Sequence, residues 1–335
     1  MSAKAPQATF ADQPQQQSLF GGSSEVPEPP VVLPAPPGEA TLRVASRVPK
    51  NAHLGTSSWS FPGWEGLVYS GNHTSATLAR YGLSAYARHP LLRSVSLDSA
   101  FYRPATSEQF ARYAAQVPDD FRFIVKAYGG LTTSPESARG ARLAEPQAHF
   151  LDAGFARREV VAPIVAGLGS KLGVILFQFS PLGPLYTRSP ALFAQRLESF
   201  LGELPVGPTY AVELRDPQVL GPRYESALAA TGAVHCLSVH SRMPPPDEQV
   251  SIRTDRGPMV IRWMLRPGDD YESAGARFAP FDQLREPDEL SRGRVVRLIR
   301  SGLSSGCDVH VAAANNAEGC APETLMELAK SLTGP

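Results

Sequence analysis

The chain holds 335 residues, 42% of them apolar, with 32 Lys and Arg balanced by 32 Asp and Glu. An apolar share near the globular average of roughly 45–50% excludes a wholly disordered chain. With zero net charge the chain lacks the strongly basic composition that would point to sequence-independent phosphate binding across one face; a local basic pocket stays open, and the charge names no partner. At roughly 150 residues per domain the length suits two domains, or equally one α/β barrel near 250 residues carrying a tail. Cys236, Cys307 and Cys320 form neither an even framework nor a C-x-x-C pair, which argues against disulfides or a thiolate zinc site and for a reduced, cytoplasmic setting. The longest apolar runs, such as Leu172 to Phe179, fall far short of the roughly 20 residues of a membrane span, so a soluble protein with no membrane contact is expected.

Residues 1–50 mix Gln, Pro, Ser and Ala, as in Gln13 to Phe20 and Pro27 to Gly38, without a sustained helical or strand period. They read as a disordered Pro/Gln-rich tail. Over residues 51–335 short apolar runs alternate with helical segments, the pattern of βα units on a parallel sheet. The strands predicted are Ala52 to Ser58, Ser94 to Phe101, Phe121 to Ala127 and Gly173 to Phe179, then Tyr210 to Leu214, Val234 to Val239, Met259 to Met264 and Asp308 to Ala314. Helices fall between them: through Leu78, Tyr81 and Tyr86, from an N-cap at Thr106 or Ser107, and near Val160 to Leu168. Further helices are expected at Leu192 to Leu204, Tyr224 to Ala230, Val295 to Leu303 and Glu323 to Leu332. Pro244, Pro245 and Pro246 forbid helix between the sixth and seventh strands, and Arg266 to Glu286 should form a second long loop over the barrel mouth. Eight strand–helix steps predict an α/β fold, a single (β/α)8 TIM-type barrel, because closure removes the sheet edges that a doubly wound sheet would leave.

In such a barrel the carboxyl ends of the strands converge on one mouth. Read in order, those ends are Trp59, Asp98, Lys126, Gln178, Glu213 with Arg215, His240, Arg262, and Asn315 with Asn316. One reading makes the charged members a structural network, since buried charges need partners. The other makes the cations and amides an anion pocket for phosphate or carboxylate, with Glu213 as general acid or base. Metal chemistry is the weaker reading, because Asp98, Glu213 and His240 come from separate strands and His240 is the one histidine at a strand end. Cys236 alternates with Ser238 and His240 and reads as core filler. Neither a G-x-S-x-G elbow nor a glycine-rich phosphate loop occurs, and no cofactor is named by the residues.

The segments Gly55 to Tyr69 (GTSSWSFPGWEGLVY), Ser96 to Arg103 (SLDSAFYR), Pro118 to Ala127 (PDDFRFIVKA), Leu172 to Pro181 (LGVILFQFSP), Tyr210 to Pro217 (YAVELRDP) and Asn315 to Gly319 (NNAEG) occur in that order. Together they resemble the YecE-like family, domain of unknown function 72, over roughly Leu54 to Leu332. The resemblance implies a TIM-type barrel and no particular reaction. It also marks the chain as divergent. Where the family pattern reads E-x-N-x-T-F-Y this chain has Ser96, Asp98 and Ala100 before Phe101 and Tyr102. The family's T-H is Thr132-Thr133 here, its R-H-P is Arg215-Asp216-Pro217, His240 stands near the place of a strand-ending Asp, and its H-G after the seventh strand is not evident. Trp59, Lys126, Gln178, Glu213, Arg215 and Arg262 match.

Within the tail, Gln16 to Phe20 (QQSLF) resembles the bacterial sliding-clamp-binding pentapeptide, with the Gln16 amide in a small pocket and Leu19 and Phe20 in an apolar groove. A Gln-rich tail can also meet this pattern by chance. The functional expectation is a barrel acting as a hydrolase or lyase on an anionic, phosphorylated or nucleic-acid substrate. Glu213, Lys126, Arg215 and Asp98 would be catalytic, while Trp59, Gln178, Arg262, Asn315, Asn316 and His240 would hold substrate, with the tail as a link to replication or repair. The alternatives are a catalytically lapsed barrel used as a binding or adaptor module, and a small-metabolite enzyme unrelated to DNA.

Overall fold

The computed structural model describes residues 30–137, 148–249 and 257–334. It opens with β1 (Leu33–Pro34) and α1 (Glu39–Arg47), followed by β2 (Ala52–Thr56), β3 (Tyr69–Ser70), α2 (Ser75–Tyr81), α3 (Leu83–Tyr86) and β4 (Ser94–Leu97). Next come α4 (Ser107–Ala114), β5 (Arg122–Lys126), α5 (Ala153–Phe155), α6 (Ala162–Leu168), β6 (Leu172–Gln178), α7 (Pro184–Arg188), α8 (Pro190–Gly202) and β7 (Tyr210–Glu213). The chain continues through α9 (Pro222–Thr231), β8 (Val234–Val239), β9 (Met259–Trp263), α10 (Tyr271–Phe278), α11 (Glu289–Ser304), β10 (Val309–Ala313) and α12 (Ala321–Thr333). Strands β2, β4, β5, β6, β7, β8, β9 and β10 pair in parallel in that order, and β10 returns to β2 to close the barrel.

Strand alternation sends every second side chain inward. Ile124, Val174, Leu176, Ala211, Val234, Cys236, Val260 and Ala312 form one sealed apolar plug inside the ring. Below it, toward the amino ends, the rings of His53 and His310 stack with centroids 4.8 Å apart. Gly55 is required by the closeness of β2 and β4, since a β-carbon there would stand 2.0 Å from the Ser94 carbonyl oxygen. The outward faces pack against the helices, as where Phe177 meets Phe200 of α8 at 5.1 Å, and each fully buried side chain of this kind contributes about 1.5–3 kcal/mol.

Helix α4 starts where the sequence places it. Thr106 accepts from the Gln109 amide at 3.3 Å while Gln109 Oε1 accepts from the Thr106 amide at 2.9 Å, a reciprocal capping box. Between β8 and β9 the prolines do prevent an α-helix among the described residues, and the buried Gln249 side chain takes over. Its amide donates to the carbonyls of Ser238 at 2.6 Å and Pro244 at 2.8 Å, and its oxygen accepts from the Ser238 amide at 3.0 Å.

Two expectations need correction. The predicted tail reaches Lys50, yet β1 pairs antiparallel with β3, and α1 packs against α12. The Ala45 carbonyl of α1 and those of Val48 and Pro49 just after it accept from the Arg93 guanidinium at 3.1 to 3.3 Å, and Val32, Ala35, Ala45 and Val48 are buried. Residues 33–47 therefore belong to the barrel domain. Short elements beside prolines carry too few apolar periods to be seen. The long loop after β9 likewise contains a helix, α10, started by Asp270, which accepts from the Ser273 amide at 2.9 Å. The segment Gln16 to Phe20 lies outside the described residues.

Candidate active site

One step beyond the apolar plug, the inward positions become polar: Asp98 after β4, Lys126 ending β5, Gln178 ending β6, Glu213 ending β7, His240 after β8, and Arg262 in β9. Glu213 is completely buried and stands between two arginines. Its Oε2 accepts from Arg262 Nη1 at 2.6 Å, and its Oε1 lies 2.6 Å from Arg215 Nη2. Arg262 is itself buried, and its second amino group reaches Asp98 Oδ2 at 3.4 Å. The other Asp98 oxygen accepts from the Ser96 hydroxyl at 2.6 Å. Burial opposes ionisation of Glu213, but the charges of Arg215 and Arg262 outweigh it and hold the carboxyl down to about 2. Glu213 is therefore a permanent anion that fixes the arginines.

Lys126 differs from both arginines. Its Nζ sits 3.8 Å over the Phe101 ring, and no carboxylate of the described residues comes within the 4.0 Å of an ion pair. Burial lowers its pKa to about 8, Asp98 opposes that shift, and Arg262 adds to it. The residue as a whole is half-buried.

His240 is buried and edges the ring of Tyr271 from α10 at 5.7 Å, which brings α10 over the site. Burial, aided by the Arg215 charge, drops its pKa to about 3, so the ring is neutral. Its Nδ1 accepts from the Arg242 amide at 3.1 Å, which leaves the proton on Nε2. Arg242 is exposed, and its Nε donates to the Arg215 carbonyl at 3.3 Å.

Asp98, Lys126, Glu213, Arg215 and Arg262 are thus brought together, with His240 beside them. Gln178 sits next to Glu213 in register, its amide donating to the Phe179 carbonyl at 2.9 Å. Trp59 is committed elsewhere: its indole donates to the Leu78 carbonyl of α2 at 3.0 Å and edges Tyr113 of α4. The Asn315 oxygen accepts from the Ala321 amide at 2.8 Å and from the Trp64 indole at 3.3 Å, tying the turn after β10 to α12, and Asn316 is half-buried in the same turn. Ser96, Phe101, Arg242 and Tyr271 escaped the reading by strand ends. Phe101 and Ser96 do lie in the SLDSAFYR segment, whereas nothing in the sequence marks Tyr271. Among the described residues no cluster of three or more His, Cys, Asp or Glu is placed to ligate a metal, and no helix is long and apolar enough to cross a membrane.

A closed parallel (β/α)8 barrel with a charged cluster at the carboxyl ends of its strands places the chain in the TIM-barrel class. More narrowly, it belongs to the family of proteins of unknown function DUF72, whose model matches residues 53–334. It is 26% identical to the UPF0759 protein YunF of Bacillus subtilis (strain 168) over 208 residues, 59% of this chain and 68% of that protein. A DUF72 family protein of Thermotoga maritima MSB8 superposes with TM-score 0.56 at 19% identity, covering 84% of this chain and 98% of that one. Another from Enterococcus faecalis V583 gives 0.53 at 19%, covering 85% and 96%. These likenesses carry the fold.

Proposed function

We propose that the barrel mouth binds a small anionic substrate, phosphorylated or derived from nucleic acid, and processes it by hydrolase or lyase chemistry in the cytoplasm. The observation that carries this reading is the charge balance at the mouth. Among the described residues, Lys126, Arg215 and Arg262 share the mouth with Asp98 and Glu213; both carboxylates are taken up by the arginines, and Lys126 is in no ion pair within 4.0 Å. A substrate anion is its complement.

Glu213, held near 2, does not exchange protons at neutral pH. Lys126, near 8, is the group that does, and it takes the acid/base role first assigned to the carboxylate. Arg215 and Arg262, fixed by Glu213, act through their field on developing negative charge. His240 supports the same anion as a neutral Nε2–H donor. The test is a panel of phosphomonoesters, phosphodiesters and short oligonucleotides assayed with wild type and Lys126→Met. Turnover reduced at least 100-fold by the substitution supports the reading, and turnover indifferent to it contradicts it.

A second reading, a barrel that binds but no longer turns over its ligand, is favoured by the residues Thr133, Asp216 and His240, which depart from the family pattern. Binding without product in the same panel would select it. The motif Gln16 to Phe20 extends either reading to a sliding clamp as partner, with Leu19 and Phe20 as anchors and a micromolar contact made effective by tethering. Full-length chain should bind the cognate clamp, and Leu19→Ala with Phe20→Ala should abolish binding; an unaffected double variant would dismiss the motif.

A further inference from the structure

We propose that Lys126 forms a covalent imine with a carbonyl compound that carries a carboxylate or phosphate group. The inference rests on the anion-binding reading of the mouth and goes beyond it by naming the electrophile.

The geometry sets Lys126 apart from its chemical kin. Lys171 donates to the carbonyls of Ala114 at 2.9 Å and Val117 at 2.7 Å and faces Asp119 at 3.3 Å. Lys330 pairs with Glu327 at 2.6 Å on the surface. Among the described residues Lys126 has neither kind of partner, and its Nζ lies 3.8 Å over the Phe101 ring. The two carboxylates in its neighbourhood are already committed, Glu213 to both arginines and Asp98 to Ser96 and Arg262. An amine placed against an aromatic ring, beside cations and in no ion pair within 4.0 Å among the described residues, has the environment in which lysine serves as a nucleophile. Burial and the neighbouring arginines also favour the uncharged amine, so that a fraction on the order of one tenth is neutral at pH 7.

The step balances without a further reagent. The neutral Nζ lone pair attacks the carbonyl carbon, the carbonyl π pair moves to oxygen, and a proton passes from nitrogen to that oxygen to give the carbinolamine. Loss of water, with one more proton drawn from nitrogen, leaves the C=N bond, and protonation makes it an iminium. The net change is amine plus carbonyl to imine plus water. The substrate's anionic group would meet the positive field of Arg215 and Arg262, orienting the carbonyl toward Nζ.

The test uses the full chain, pyruvate or dihydroxyacetone phosphate as probe, and borohydride to trap the imine as a stable secondary amine, located by peptide mass mapping. The expected result is one adduct, at Lys126, formed at least ten times faster than at Lys50 or Lys330 at pH 7, and absent in Lys126→Arg. Inorganic phosphate binding, measured in parallel by calorimetry, separates this inference from the reading beneath it. Retained phosphate binding with no adduct, or with an adduct no faster than at the surface lysines, overturns imine formation and leaves the anion site standing. No adduct together with no phosphate binding overturns both. An adduct with only one probe supports the proposal and assigns the anionic group as carboxylate or phosphate.

Discussion

Glu213 and Lys126 occupy equivalent strand ends and have opposite energetics. Removing the charge of Glu213 leaves two buried guanidiniums without their anion, so Glu213→Gln should lower stability by about 3 kcal/mol, measured as the denaturant midpoint multiplied by the slope. Lys126→Met removes a cation that has no ion pair among the described residues and should change stability by less than about 1 kcal/mol. A Lys126 variant as unstable as Glu213→Gln would show that the cation is structural. The positions of these side chains were legible in the sequence, because strand alternation and the carboxyl-end rule depend only on local pattern. Their roles were not. That Glu213 is held by two arginines depends on how β7 and β9 approach across the ring, a long-range fact. Trp59 ends a strand in sequence, but its indole finds the Leu78 carbonyl of a helix whose packing no local pattern gives.

At the scale of elements, the eight barrel strands were readable to within a few residues, since each is a short apolar run bounded by turn signals and most are joined to the next by a helix. β1 and α1 were not readable, because they are stabilised by what they touch. Four apolar residues from residues 31–50 are buried, and Arg93 bonds the end of α1. Deleting residues 31–50 should therefore destabilise the barrel by at least about 2 kcal/mol, seen as a lower thermal midpoint; an unchanged midpoint would make them an appendage. Gln249 is the other element-scale device. Gln249→Ala strands the Ser238 amide and carbonyl that its side chain satisfies, and should cost about 2–3 kcal/mol where a surface Gln→Ala costs almost nothing.

Across the whole molecule, burial depresses the pKa of His89 and His235 to about 4 and of His240 and His310 to about 3. The unfolded chain takes up these protons near 6.5, so between that pH and about 4 it binds more protons than the folded one, and stability must fall as the pH drops. The slope is on the order of 1 kcal/mol per pH unit for each histidine, and urea midpoints at pH 7, 6 and 5 should decline steadily. The mouth titrates on the other side of neutrality. As pH rises through about 8, Lys126 loses a charge that sits in no ion pair among the described residues, while Arg215 and Arg262 keep theirs against Glu213. The most direct measurement of the central claim is calorimetric titration of inorganic phosphate into the full chain at pH 7 and pH 9.5, for wild type and Lys126→Met. An anion site completed by Lys126 requires binding at pH 7 that weakens at least tenfold at pH 9.5, and weak, pH-independent binding in the variant. Equal binding by both proteins at both pH values, or none by wild type at pH 7, would contradict it.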